Sequence, residues 1–95
     1  MLTYEYVEDI LEKRTPYREA HLKLANDLVS SGVIVSGGPL LEGGAPTGAL
    51  FLFRAPSRGV VESFVAKDPY VTANLVVKQT IAEYCVVVGG LQSKL

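Results

Sequence analysis

One cysteine, one histidine and no tryptophan leave this chain with few of the residues from which metal and redox sites are built. Cys85 alone cannot close an internal disulfide, and no Cys/His cluster has the spacing of a zinc site. Charge of one sign is lacking as well. Nine basic residues against ten acidic ones leave a formal net charge of −1, spread along the chain. A nucleic-acid binder would carry a basic stripe, and none is visible. Nor is there a basic amphipathic segment to lie on a membrane. No apolar run approaches the roughly 20 residues that cross a bilayer. The start, Met1-Leu2-Thr3-Tyr4-Glu5, has neither the basic region nor the apolar stretch of a signal peptide. These absences predict a cytoplasmic protein in a reducing compartment, with no nucleic-acid or membrane partner and no cofactor.

What is present is apolar. The 95 residues suffice for one domain, read here as 1–95, and 48% of them are hydrophobic, with a mean hydropathy of +0.26. A chain this short buries only a modest share of its surface. Either its core is dense or a partner covers apolar surface, which predicts a homodimer or higher homo-oligomer.

The pattern predicts strand, helix, strand, strand, helix, strand. Leu2 to Val7, with Tyr4 and Tyr6, reads as a strand. Asp9 to Arg14 is polar and reads as a loop or a helical turn. Thr15-Pro16 reads as a helix opening, Thr15 capping and Pro16 at the first position, with the helix running to Ser31 and stopping at Gly32. A strand from Val33, bulged near Gly37-Gly38, leads through the hairpin connection Glu42 to Thr47 into the apolar strand Gly48 to Arg54. Such a strand belongs in the middle of a sheet, covered on both faces. Ser57 caps a second helix whose stripe is Val60, Val61, Phe64 and Val65, and Asp68-Pro69 ends it. Val76 to Val88 reads as one long last strand. This is an α+β, ferredoxin-like βαββαβ unit: a four-stranded antiparallel sheet with two helices on one face. Two such sheets packed face to face would make a dimeric α+β barrel.

Few residues carry chemistry. His21 stands where the charged stripe of the first helix, with Arg14 and Arg18, meets the apolar one, with Ala25 and Leu28. An imidazole there titrates near neutrality and moves protons. A histidine at such a border is more often simply half-buried. Asp68, fixed by the following proline, first explains the helix stop; as chemistry, its carboxylate orients His21 or acts as a base itself. Arg14 and Arg18 suit a bidentate grip on a substrate carboxylate, though such arginines are commonly solvated or paired with Glu12 or Glu19. Tyr70 offers a hydrogen bond to an oxyanion, and Ser36 opens the Gly37-Gly38-Pro39 turn, where backbone and ligand can approach closely. That turn lacks the Lys-Ser/Thr of a phosphate loop, and no Gly-x-Ser-x-Gly is present. Cys85 reads as a small buried hydrophobe.

Taken together, the Tyr-rich first strand, Arg18-Glu19-Ala20-His21-Leu22, Ser36-Gly37-Gly38-Pro39, Gly48 and Asp68-Pro69-Tyr70 resemble the YCII-related domain family over about Leu2 to Val88. The resemblance implies a ferredoxin-like fold that dimerises into an α+β barrel, and a small cleft where His21 and Asp68 do acid–base work. Two readings follow. One is a cofactor-free enzyme acting on a small polar or aromatic molecule, a lyase, isomerase or hydrolase with His21 and Asp68 as the working pair and Arg14, Arg18, Ser36 and Tyr70 binding substrate. The other is a non-catalytic dimeric module that binds a small ligand or a partner chain. Both turn on whether His21 and Asp68 meet.

Overall fold

Leu2 and Tyr4 alternate with Thr3 and Glu5, and the first pair is buried while Glu5 is exposed. That period of two places one face of the strand on a core. The computed structural model describes residues 1–89. Its elements are β1 (Leu2–Tyr6), α1 (Ile10–Lys13), α2 (Arg18–Ser30), β2 (Ile34–Glu42), β3 (Ala45–Phe53), α3 (Arg58–Lys67), α4 (Pro69–Thr72) and β4 (Val76–Ile81). The strands pair antiparallel in the order β2-β3-β1-β4. This is the ferredoxin-like α+β arrangement, with two additional single turns of helix.

The core lies between the sheet and the two longer helices. Leu2, Tyr4, Ile34, Ala49 and Phe51 from the sheet meet Val61, Phe64 and Val65 from α3, with Leu24, Ala25 and Leu28 from α2 packed against them. Each fully buried aliphatic or aromatic side chain contributes about 1.5–3 kcal/mol of transfer free energy. A smaller cluster, Ile10, Tyr70 and Leu75, fastens α1 to α4. β3 is central as expected. Its Ala49 and Phe51 are buried under the helices, whereas Leu50 and Leu52, on the other face, are only half-buried.

Local chemistry sets the element ends. Gly32, at φ +81°, closes α2 with the Val33 N–H donating to Leu28 O at 2.9 Å and the Gly32 N–H to Val29 O at 3.0 Å. Asn74 does the same for α4, with the Leu75 N–H donating to Tyr70 O at 2.9 Å. At Gly48 a Cβ would collide with the Tyr4 carbonyl oxygen of the neighbouring strand, so only glycine lets β1 and β3 close there.

Four expectations are corrected. Thr15 does not cap the long helix. Ile10 is buried against Tyr70 and Leu75, which pulls the preceding segment into the separate turn α1, and the Thr15 hydroxyl donates back to Leu11 O at 3.3 Å. The long helix therefore starts at Arg18 with Tyr17 at its cap position, which puts His21 in its first turn. The hairpin connection is shorter than expected, since β2 runs on to Glu42 and β3 begins at Ala45. β4 stops at Ile81, which pairs with Leu2. Two further bonds join Met1 and Ala82, the Ala82 N–H donating to Met1 O at 2.9 Å and the Met1 ammonium to Ala82 O at 2.7 Å, and residues 83–88 lie outside any strand. Cys85, in that stretch, is exposed.

Candidate active site

Asp68 owes its position to proline. With φ −68° and ψ 121° it stands in the extended region that a following proline demands, so α3 ends there and α4 starts one residue later. The break turns the Asp68 side chain inward, where it accepts the Tyr70 N–H at 3.0 Å and caps α4. Asp68 is wholly buried. A buried carboxylate is tolerated only when its oxygens are well supplied with donors. Tyr4 Oη donates to Oδ2 at 2.7 Å from the central strand β1, and His21 Nδ1 lies 2.7 Å from Oδ1.

His21 reaches this carboxylate from the first turn of α2 and is itself only 5% exposed. Tyr70 lies flat on its ring, centroids 3.8 Å apart and planes 5° from parallel, while Phe51 presents an edge at 6.1 Å. The ring is thus fixed in position and orientation. Because the facing group is an acceptor already served by Tyr4 and the Tyr70 amide, Nδ1 is the donor and Nε2 carries the lone pair of the neutral ring. Among the described residues Nε2 has no protein partner, and no side-chain nitrogen or oxygen is buried without one. Nε2 therefore keeps contact with solvent. It is the outward-facing basic atom of the cluster.

The surrounding phenols all hold their protons above the ordinary tyrosine value. Burial pushes Tyr4 up most, followed by the charge of Asp68 and the bond donated to it. Tyr6 is raised by burial, then by Tyr70 and Asp68, with Arg14 opposing. Tyr70 is raised by burial while Arg14 and Arg18 pull it back down. Arg14 is half-buried and Arg18 exposed, and both guanidinium charges act on the Tyr70 phenol.

Of the residues singled out in the sequence, His21, Asp68 and Tyr70 meet directly, and Arg14 and Arg18 border them. Ser36 does not join them. Its register partner is Leu52, whereas the next residue, Gly37, pairs with Phe51, whose ring covers it on the helix side. Ser36 is exposed and points to the opposite face of the sheet. Tyr4, Tyr6 and Phe51 were not singled out as site residues. A tyrosine sharing its strand face with Leu2 needs a hydroxyl partner, and that was the available signal.

A cavity of about 720 Å³ lies elsewhere. It opens beside the start of α3, between Val35, Phe53, Arg54, Arg58, Val61 and Ile81, and none of the residues around His21 lines it. Size alone would favour that cavity, but the coupled acid–base groups are at the other end of α3. Among the described residues no three His, Cys, Asp or Glu side chains gather as a metal site, and no helix is long and apolar enough to cross a membrane.

Comparison with known proteins agrees with this fold. The family model of the YCII-related domain matches residues 1–84. A comparison with curated proteins gives no match. Among solved structures the chain is similar to 5-chloro-2-hydroxyhydroquinone dehydrochlorinase (TftG) from Burkholderia phenoliruptrix AC1100, in complex with 2,5-dihydroxybenzoquinone. The identity is 28%, the TM-score 0.75, and the match covers 88% of this chain and 93% of that one.

Proposed function

We propose that this chain, which belongs to the YCII-related domain family, is a cofactor-free acid–base enzyme for a small hydroxylated ring compound, with His21 as the catalytic residue. The observation that carries this reading is the buried pair itself. Nδ1 of His21 is bound to Asp68 at 2.7 Å, and Nε2 is left facing outward. A proton taken up at Nε2 makes an imidazolium, and the carboxylate behind it is already aligned to stabilise that charge. Asp68 orients the ring. Its oxygens are occupied by three donors, so proton exchange with substrate falls to His21 alone.

Arg14, Arg18 and the Tyr70 hydroxyl would receive an anionic or phenolic oxygen of the substrate. Elimination, isomerisation and hydrolysis all need such a base. The similar structure named as a dehydrochlorinase, holding a dihydroxybenzoquinone, favours elimination from a hydroxylated ring. In that step Nε2 accepts a substrate proton, the released electron pair forms the new double bond, and the leaving group departs as an anion.

The test needs two measurements. Titrating 2,5-dihydroxybenzoquinone into the protein should shift the ring nitrogen signals of His21, the single histidine in the chain. With 5-chloro-2-hydroxyhydroquinone, chloride release should fall about 10²–10⁴-fold in His21→Ala. Undiminished release in that variant, or an unmoved imidazole at saturating quinone, would overturn the assignment.

A non-catalytic pairing function has its own observation. Leu40, Leu50 and Leu52 lie on the sheet face away from the helices, and Leu40 is 42% exposed. We infer that a second copy covers this face, giving the dimeric barrel in a reducing, cytoplasmic setting. Sedimentation should show a dimer that Leu52→Glu dissociates; a wild-type monomer would refute it.

A further inference from the structure

The geometry points to Tyr4 as a positioning residue for His21, acting through Asp68; this rests on the acid–base reading above. Asp68 is held by two fixed elements. Its Oδ1 is tied to the first turn of α4 by the Tyr70 amide at 3.0 Å, and its Oδ2 to the middle of β1 by the Tyr4 hydroxyl at 2.7 Å. Only the second tie reaches the sheet. Without it the carboxylate would pivot about the Oδ1 contacts, because α3 and α4 meet at a single extended residue. The direction of the His21 ring, and hence of Nε2, would loosen with it.

The surroundings of Tyr4 suit this task better than simple filling of the core. It is 1% exposed in a central strand, and phenylalanine would serve there if apolar volume were all that mattered. Tyr4 instead carries a hydroxyl to a carboxylate 64 positions away. Phe51 and Tyr6 pack on its ring at 5.6 and 6.3 Å and fix its plane, so the donated bond comes from a nearly immobile atom. The hydroxyl donates to the Asp68 carboxylate. Tyr4 thus governs the angle of the reacting group without touching substrate.

The lone histidine makes the experiment direct, since every imidazole signal in the spectrum belongs to His21. Tyr4→Phe keeps the ring and removes one oxygen, and Tyr6→Phe serves as a control that removes a neighbouring phenol not bonded to Asp68. In the wild type and in Tyr6→Phe the ring should be a single tautomer with a slowly exchanging Nδ1 proton. In Tyr4→Phe that proton should exchange roughly tenfold faster, the factor expected for one lost charge-assisted bond, and the second tautomer should appear. With 5-chloro-2-hydroxyhydroquinone the same variant should lower kcat and leave KM unchanged. An identical ring spectrum in Tyr4→Phe and wild type would overturn the assignment. Should Tyr4→Phe fail to fold, the wild type decides: a slowly exchanging Tyr4 hydroxyl proton supports it, and a freely exchanging one refutes it. Retained turnover in His21→Ala would instead refute the catalytic reading, while the Tyr4→Phe ring spectrum still tests the positioning.

Discussion

The two ends of α3 use the interior of this protein in opposite ways. Where α3 stops, side chains from β1, α2 and the α3–α4 junction close on one another through bonds of 2.7–3.0 Å and, among the described residues, leave no buried polar side-chain atom unpaired. Where α3 starts, a cavity of about 720 Å³ is walled by apolar residues together with Ser57, Glu83 and two arginines, and the chain after Ala82 runs past it outside any strand. The larger space carries less chemistry. A cavity follows from a strand that has outrun its partner, whereas a buried acid–base pair exists only because each member supplies what the other would lose on leaving water.

Substitutions at the two ends should therefore differ sharply. The largest effect is expected for Asp68→Ala, which leaves the Tyr4 hydroxyl, the His21 Nδ1–H and the Tyr70 N–H without an acceptor. About 3–5 kcal/mol of stability should be lost. Denaturant unfolding measures this, and a loss under about 1 kcal/mol would mean the cluster is not a unit. Gly48→Ala comes next, because its methyl group meets the Tyr4 backbone that carries the cluster; about 1–3 kcal/mol should be lost.

The third contrast is with pH. Tyr4, Tyr6 and Tyr70 are all raised above the ordinary tyrosine value of 10.0. Above that value the unfolded chain releases these protons while the folded one keeps them, so stability is full below it and falls as pH rises beyond it. Tyrosinate absorbance of Tyr4 and Tyr6 should appear only together with unfolding; its appearance in the folded protein would contradict the packing. The smallest effect belongs to the cavity end. Arg58→Ala removes one long 3.3 Å bond to Ile81 O and an exposed pair with Glu62, and should change stability by no more than about 0.5 kcal/mol.

The same contrast explains what could be read from the residues alone. Asp68-Pro69 announced a helix stop and Gly32 another, because both act on their own backbone. His21 was conspicuous as the single imidazole beside two arginines. Its meeting with Asp68 was not legible, since the bond spans 47 positions and depends on how two helices lie on the sheet. Tyr4 stood in the predicted strand, but nothing in its neighbours names a partner 64 positions on. Val76 to Val88 reads as strand throughout because β propensity belongs to the residue, while pairing needs a neighbour, and β1 ends first. Thr15-Pro16 has the right chemistry for a cap and lost to the burial of Ile10.

Asp68 joins three stretches of chain that approach only when everything between them is in place. Its acceptor oxygens are in effect a signature on the completed architecture: a half-assembled chain has an imidazole but no carboxylate behind it. Deuterium uptake at the Tyr70 amide, which Asp68 holds, should accordingly track opening of the whole molecule.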